Sequence, residues 1–510
     1  MRLLFCITLL LTCVAARANG IRSYPERLAG AYEIGRLAPP PGINPQIGGI
    51  ATLHDGRLAV AFHHGEVAIC DPKDGTWKTF AEGLHEPLGI LEESPGTLLV
   101  MQRPELTRLR DTNGDGVADQ YETVWDDYGI TGNYHEFAFG PVRGPNGKFY
   151  VSLNLASEGA SIRPEIRGEF NKWGPAREKF YTPDWRAFAK REVIGMYSPV
   201  RWRGWVMEID EKSGRAEPFA SGFRSPDGIG FDADDHLIIV DQQGDWRGTN
   251  EVHVVERDGF YGHPASLAWR KDWNGPYPVR TSIEKLNEFR TRPAICIPYE
   301  TYGASPTQPV TIPKTKEWGP FGGQLVVGEM NFPRLFRLML ENVGGVWQGA
   351  CALLAESEEL KGGLHRIAFV GSTLYVGRIH LAWAGGEGIS SLKRVSEMPF
   401  EIATMKATQD GFRFEFTRPL AESAREAAHW KGQRYFYLYR QTYGSPKMEK
   451  ADVAAQSVSI SSDGRSAAIV LPGIKAGFVY DFDLAELRSS DGEPILNPKI
   501  AYTLNRLPAK

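Results

Sequence analysis

Three groups of residues have types and spacings that could do chemistry. The first is the run Asp111-Thr112-Asn113-Gly114-Asp115-Gly116-Val117-Ala118-Asp119-Gln120-Tyr121-Glu122. Side-chain oxygens stand at its positions 1, 3, 5, 9 and 12, glycine at 6 and a main-chain carbonyl at 7. A calcium loop uses this spacing, because a hard cation gathers six or seven oxygens and glycine permits the sharp wrap. The expected ligands are Asp111, Asn113, Asp115, Val117 through its carbonyl, Asp119 and Glu122. The flanks LTRLR and YETVW read as strands, so the loop belongs to a hairpin and its metal would be structural. The same residues also read as an Asx-rich turn without metal.

The second group recurs just before apolar β-phrases: His85-Glu86-Pro87, Asn133-Tyr134-His135-Glu136, Arg224-Ser225-Pro226-Asp227, Thr307-Gln308-Pro309 and Leu364-His365-Arg366. If those phrases are the innermost strands of a ring of sheets, these polar groups meet at one mouth, as a concave site requires. His135 is the candidate general base, since imidazole titrates near neutrality. Arg224 is placed to steady a developing oxyanion, and Asp227 is a third catalytic candidate. Taken singly, each of these residues also reads as a hydrogen-bonded turn residue. The third group is Gly259-Phe260-Tyr261-Gly262-His263-Pro264. It reads either as a carbonyl-lined turn able to ligate calcium or as a rigid turn closing a sheet.

The elements that must position these groups repeat. A turn followed by an apolar run appears as DGRLAVA at 55–61, PGTLLVM at 95–101, NGKFYVS at 146–152, DDHLIIVD at 234–241, GGQLVVGE at 322–329 and GSTLYVG at 371–377. Asp-Gly, Pro-Gly and Asn-Gly before such runs are hairpin signals. Shorter runs precede most of them (IATL, GILEE, FAFG, GIGFD, RIAFV), and EVAICDPKDGTWKTF aligns with WVMEIDEKSGRAEPF as an outer hairpin. A four-stranded propeller blade takes about 40–45 residues. The pattern therefore predicts an all-β chain: a six-bladed β-propeller over 30–396, three of its blades lengthened. The largest insertion, about 155–204, is rich in arginine and aromatics, including Trp173, Trp185, Tyr197 and Trp202. It reads as a lid suited to a sugar, especially an acidic one, or as a loop packing its own small core. From 397 to 510 a second strand series begins (IATMKATQ, GFRFEFT, RYFYLYR, SVSISS, AAIVLP, FVYDFDLAEL, KIAYTLNRL). Seven strands in about 110 residues suit an immunoglobulin-like β-sandwich, docked through a tight join and structural in role.

Composition narrows the function. The 510 residues carry 58 Lys and Arg against 62 Asp and Glu, a net charge of −4, with no long basic tract. Nucleic acid is therefore not an expected partner. Arg2, the apolar run Leu3–Val14 and Ala16-Arg17-Ala18 read as a signal peptide cleaved after Ala18. No later stretch approaches a membrane span, so a periplasmic or secreted protein is expected. Beyond the signal stand Cys70, Cys296 and Cys351, an odd number, with Cys296 and Cys351 the pair considered for a disulfide. No CxxC or CxxCH occurs, which leaves zinc ribbons, thioredoxin-type centres and covalent haem unsupported.

The six phrases, GFRSPDGIGF and GFYGHP together resemble the soluble quinoprotein glucose/sorbosone dehydrogenase family, six-bladed propellers that bind pyrroloquinoline quinone and calcium. DTNGDGVADQYETV, GFYGHPASLAWR and the tail PFEI…DGFRFEFTRPL…YGSP…YTLN resemble, more closely, an exported propeller family of planctomycete- and verrucomicrobia-type bacteria. The first resemblance implies that His135 abstracts the substrate proton and that Arg224 to Gly228 lines the quinone site, with Ser225 and Asp227 as departures from the family stretch. It also implies that Gly262 and Pro264 hold calcium through carbonyls, with His263 where the family has tryptophan. Tyr261, His365 and Arg366 complete the implied cofactor contacts. A dehydrogenase lacking the haem domain of the second family would need a separate electron acceptor. Three functions stay open: quinone- and calcium-dependent oxidation of a sugar or sugar derivative, a quinone-independent carbohydrate lyase or hydrolase, and a non-catalytic propeller that binds glycans or proteins.

Overall fold

The computed structural model describes residues 22–157, 165–173, 195–299, 301–381 and 384–509. The signal-peptide reading at 1–18, Trp185 and most of the 155–204 insertion lie outside the described residues. What is described is mostly β, built of four-stranded antiparallel sheets.

Six blade-like sheets follow one another. The first holds Ile47–Thr52, Leu58–Phe62, Val67–Asp71 and Thr76–Ala81; the second Gly89–Ser94, Thr97–Met101, Leu106–Arg110 and Gln120–Trp125. The third holds Ala138–Arg143, Phe149–Leu153, Trp205–Ile209 and Ala216–Ser221; the fourth Gly228–Phe231, Leu237–Asp241, Asn250–Val255 and Ile295–Ile297. The fifth begins Pro306–Thr311, Leu325–Glu329, Arg334–Val343 and Val346–Glu356. The sixth holds Leu364–Val370, Thr373–Leu381 and Ala384–Arg394, and takes its outer strand, Tyr32–Leu37, from the start of the chain.

Every repeated phrase is the turn and second strand of its sheet. These strands are mostly apolar because they pack on both faces; all five residues of Leu58–Phe62 are buried, as are all five of Leu237–Asp241. The first strands touch in a closed cycle, from Ile47–Thr52 through each later sheet to Leu364–Val370 and back. That approach needs glycine. A Cβ at Gly48 would overlap the carbonyl of Pro87, and one at Gly89 that of Gly140. The 155–204 insertion leaves between the second and third strands of the third sheet.

The C-terminal region adds a sheet of Ile402–Ala407, Gly411–Phe416, Ser466–Val470 and Ser457–Ile460. Facing it are Met448–Ala454, Lys431–Phe436, Phe478–Asp483 and Lys499–Leu504, with Phe412, Phe414, Trp430, Tyr480, Phe482 and Tyr502 buried among them. Lys499–Leu504 also pairs with the last strand of the fifth sheet, Gly349 opposite Thr503 and Cys351 opposite Ala501. The fifth sheet and half of the C-terminal region are thus one eight-stranded sheet. The seven-strand reading missed Met448–Ala454. That strand lies at the sheet's edge with alternate residues exposed, so its charged sequence MEKADVA masks it. The pairing of Cys296 with Cys351 is also corrected: both are free, as is Cys70, although the two sit in one apolar cluster. Among the described residues no helix is long and apolar enough to cross a membrane.

Candidate functional site

The loop entering the third sheet positions His135. Asn133 Oδ1 accepts the backbone N–H of His135 at 3.0 Å and that of Ser157 at 3.1 Å. Buried Arg103 donates to the carbonyls of Asn133 and Tyr134, and so holds the two peptides just before the imidazole. Glu136 faces the other way, accepting from Thr131 N at 2.7 Å and Ser198 Oγ at 2.8 Å. The His135 ring lies 5.5 Å from Tyr134 and 5.7 Å from Phe137, both edge-on. Burial, then the cations of Arg224 and Arg103, push its pKa down to about 4. His135 is therefore a neutral imidazole across the physiological range.

Arg224 enters from the loop before the fourth sheet, and its charge is felt at His135 although 89 positions separate them. Asp241, at the end of the second strand, accepts the backbone N–H groups of Arg224 at 2.9 Å and Ser225 at 2.7 Å. Arg224 Nε donates to Asp245 Oδ1 at 2.7 Å. Asp245 Oδ2 bonds His263 Nε2 at 2.8 Å and accepts Met196 N–H at 2.9 Å. His263 Nδ1 accepts Ala265 N–H, so the ring proton is on Nε2 and is donated to Asp245. Burial works to raise the Asp245 pKa, but Arg224 and His263 outweigh it and hold the carboxyl well below its usual range.

The C-terminal region reaches this mouth. Its 437–446 segment is fastened by Trp246 N to Arg440 O at 2.9 Å, Gly444 N to Gly244 O at 2.9 Å and Ser445 N to Gly248 O at 2.8 Å. Tyr443 stands at its tip with its ring centroid 5.4 Å from Arg224 Cζ. The C-terminal region, expected to be structural, thus also sets a side chain against Arg224.

Asp227, His365 and Arg366 belong elsewhere. His365 Nε2 and Arg366 Nη1 both bond Asp227 Oδ1, at 3.0 and 2.9 Å, and all three side chains are buried. Arg366 Nε reaches Leu88 O at 3.1 Å, and its Cζ lies 5.0 Å from the Phe139 ring. The cluster ties the second, third, fourth and sixth sheets together at the ring's centre. Burial opposes ionisation of Asp227, and His365 and Arg366 overcome it. Asp227, expected as catalytic, and His365 and Arg366, expected as cofactor contacts, here satisfy one another as a buried ion-pair cluster.

The turn implied to hold calcium does not fit a cation. Tyr439 donates its hydroxyl to Gly262 O, and Arg247 Nη1 donates to Tyr261 O. Arg247 is fully buried; it also bonds Asp241 and Gly222 O and lies 3.1 Å from Glu251. A guanidinium and a tyrosine hydroxyl thus already engage the Tyr261 and Gly262 carbonyls. Tyr261 is itself a packing residue, stacked on Phe223 at 5.1 Å with its hydroxyl on Val254 O, and Pro264 opens a 3₁₀ turn.

The 111–122 loop closes on itself. Asp111 accepts Gly114 N and Gly116 N, Asn113 accepts Asp115 N, Asp115 accepts Val117 N, and Asp119 accepts Thr112 N and Oγ1. Glu122 lies in the following strand and pairs with Arg108 at 3.2 Å and Arg110 at 2.9 Å. Among the described residues no three His, Cys, Asp or Glu side chains converge as a metal site. The loop makes the hydrogen bonds of an Asx-rich turn, and its twelfth residue is engaged by two arginines.

Arg224 thus acts electrostatically on His135, while Asp227, His365 and Arg366 bond one another. Sequence reading missed Asp245, Arg247, Tyr439 and Tyr443. The polar run DQQGDWRGTN after a buried strand, and YGSP in the tail, were the available signals.

A family model described as a domain of unknown function, DUF7133, matches residues 59–229. No curated protein matches the chain. Among solved structures, an oxidoreductase (glucose dehydrogenase) from Thermus thermophilus is 18% identical, with a TM-score of 0.46, over 71% of this chain and 100% of that one. The PQQ-bound aldose sugar dehydrogenase from Streptomyces coelicolor is 16% identical, with a TM-score of 0.46, over 71% and 98%. The holo PQQ domain of pyranose dehydrogenase from Coprinopsis cinerea is 12% identical, with a TM-score of 0.45, over 71% and 95%.

Proposed function

We propose that this chain acts on a sugar or sugar derivative at the mouth shared by His135 and Arg224, with neutral His135 accepting a proton and Arg224 holding the developing negative charge. The scaffold of this reading is an exported six-bladed β-propeller over 30–396 followed by an immunoglobulin-like sandwich over 397–510, released to the periplasm or the exterior after loss of 1–18. What supports it is electrostatic: after burial, the Arg224 cation helps depress the pKa of an imidazole on the preceding sheet. A neutral base beside a fixed cation suits abstraction of a proton from carbon next to a carbonyl or carboxylate, where charge builds on oxygen.

Oxidation with bound pyrroloquinoline quinone and a separate electron acceptor is the second reading. GFRSPDGIGF around Arg224 favours it. The engagement of the 261 and 262 carbonyls by Arg247 and Tyr439 weighs against its calcium and favours the quinone-independent route.

One experiment separates them. Purified protein is incubated with uronate-containing glycans, and the ultraviolet band of a new carbon–carbon double bond is followed. In parallel it is supplied with quinone, calcium and a redox dye on neutral sugars. A double-bond signal lost in His135→Ala supports proton abstraction. Dye reduction dependent on quinone establishes oxidation instead. Silence in both, with glycan binding retained, leaves a binding module.

A further inference from the structure

We infer that Tyr443, carried by the C-terminal region, and the outer edge of the Arg224 guanidinium form one recognition unit for a pyranose ring that bears a carboxylate. This rests on the reading of the mouth as a sugar site and names its substrate class.

Tyr443 is 63% exposed, more than the other exposed large apolar side chains, Val117, Tyr121, Phe289 and Val395. It nevertheless does not sit on a loose loop. Backbone hydrogen bonds to the fourth-sheet loop flank it, through Arg440 O on one side and Gly444 N and Ser445 N on the other. Arg440 Nε closes the loop across it onto Gly444 O at 2.7 Å. Gly444 has φ +58, the left-handed geometry that lets the chain turn back just after the tyrosine. The fold thus holds a bare aromatic face in a fixed place at the mouth, where tyrosine offers large contact area at small entropic cost.

Arg224 is fixed with equal care. Its Nε is committed to Asp245 Oδ1, and Asp245 is locked in turn by His263 and the Met196 amide. Among the described residues Nη1 and Nη2 have no hydrogen-bond acceptor. Two N–H groups on one edge of a planar fork match the two oxygens of a carboxylate. Since Asp245 already balances the charge, the fork selects by geometry more than by net attraction. The tyrosine ring presents its negative π face, against which the C–H face of a pyranose packs. A ring centroid 5.4 Å from the guanidinium carbon is close enough for one sugar residue to meet both. The chemistry selected is that of a uronic acid, with neutral hexoses discriminated against by the unfilled fork.

The test uses full-length protein and calorimetric titration with D-glucuronate and D-glucose. Wild type is expected to bind glucuronate at least tenfold more tightly than glucose. Tyr443→Ala should weaken glucuronate by about tenfold and Tyr443→Phe by no more than about twofold. Both should unfold at the wild-type temperature, because the side chain is exposed. Arg224→Ala should abolish the preference for glucuronate. Wild-type affinity in Tyr443→Ala alongside loss in Arg224→Ala would overturn the aromatic platform and leave the sugar mouth standing. Equal binding of glucose and glucuronate by wild type would overturn the carboxylate class. Binding of neither sugar by wild type would overturn both the inference and the reading on which it rests.

Discussion

The hydroxyl of Tyr439 is donated to the carbonyl oxygen of Gly262, 177 positions earlier in the chain. The same ring lies 5.3 Å from Trp246 and 4.0 Å from the guanidinium carbon of Arg290. One tyrosine of the C-terminal region therefore engages the turn, the loop and the 283–292 segment that surround the fourth sheet. The contact also explains why a glycine-rich turn resembling a calcium site need hold none: its carbonyls already have donors, from Tyr439 and from buried Arg247.

Removing that hydroxyl leaves the Gly262 carbonyl short of a partner. Tyr439→Phe should lose about 1 kcal/mol, the ordinary net worth of a hydrogen bond. Added calcium should not restore it, since the Arg247 guanidinium remains. Thermal unfolding with calcium or chelator measures both. A calcium-dependent rise in the variant's melting temperature would return this turn to the metal reading.

Asp111 accepts two loop amides, at 2.7 and 2.8 Å. Asp111→Ala should cost about 1–2 kcal/mol, as loss of a capping carboxylate does. The cost should be the same in calcium and in chelator. Were wild type to lose stability in chelator, by mass action a bound cation would be implicated and the Asx-turn account would fall.

The repeating blade units were legible because each pairs a turn residue with an apolar second strand, as Asp55-Gly56 does ahead of Leu58–Phe62. Their order follows the chain. The closing strand Tyr32–Leu37 was not, since its pairing with Ala384–Arg394 joins opposite ends of the sequence. Nor was the junction at Gly349 and Thr503, because a strand's sequence does not state which edge it will complete. At the site, His135 and Arg224 stood out as polar residues in a repeated position. Asp227 and His365 occupied the same positional pattern, yet they pair across the centre at 3.0 Å. Periodicity places such residues on one rim but does not say which point to solvent and which to one another. Tyr443 was hidden further, since its role depends on a loop folding back onto a different sheet.

Glu401 provides a test of how the C-terminal region is joined. It accepts from Asn497 Nδ2 at 2.6 Å and is buried. Burial pushes its pKa up to about 7, against the pull of Arg337, the Asn497 hydrogen bonds and Arg27. Folded Glu401 thus keeps its proton where the unfolded chain has lost it. The stability this gives is present below the ordinary 4.5 and is lost as pH rises through about 7. Glutamine preserves the neutral form. Glu401→Gln should match wild type at pH 5 and exceed it at pH 8.5, by at most about 3 kcal/mol. Glu329, also pushed up to about 7 by burial, leaves part of the slope in the variant. Equal losses at both pH values would mean that Glu401 is ionised against Arg337.

The last prediction concerns the two residues on which the functional reading stands. His135 has its pKa pushed from 6.5 to about 4, by burial first and then by Arg224 and Arg103. A base must be unprotonated, so the acid limb of turnover should fall near 4 and activity should be flat from pH 5 to 8. Arg224→Ala removes one of the two cations. The imidazole then holds a proton more readily, and the acid limb should move upward, toward 6.5 but short of it, because burial and Arg103 remain. The same variant should lose about 10²–10³-fold in rate if the guanidinium faces a developing oxyanion. His135→Ala should lose about 10²–10⁴-fold and show no acid limb in that range. The two readouts separate chemistry from placement. An unmoved limb would mean that the Arg224 charge does not act on His135, and a lowered melting temperature with no further loss in rate would make Arg224 structural. A limb near 6.5 in wild type would mean that the titrating base is not His135.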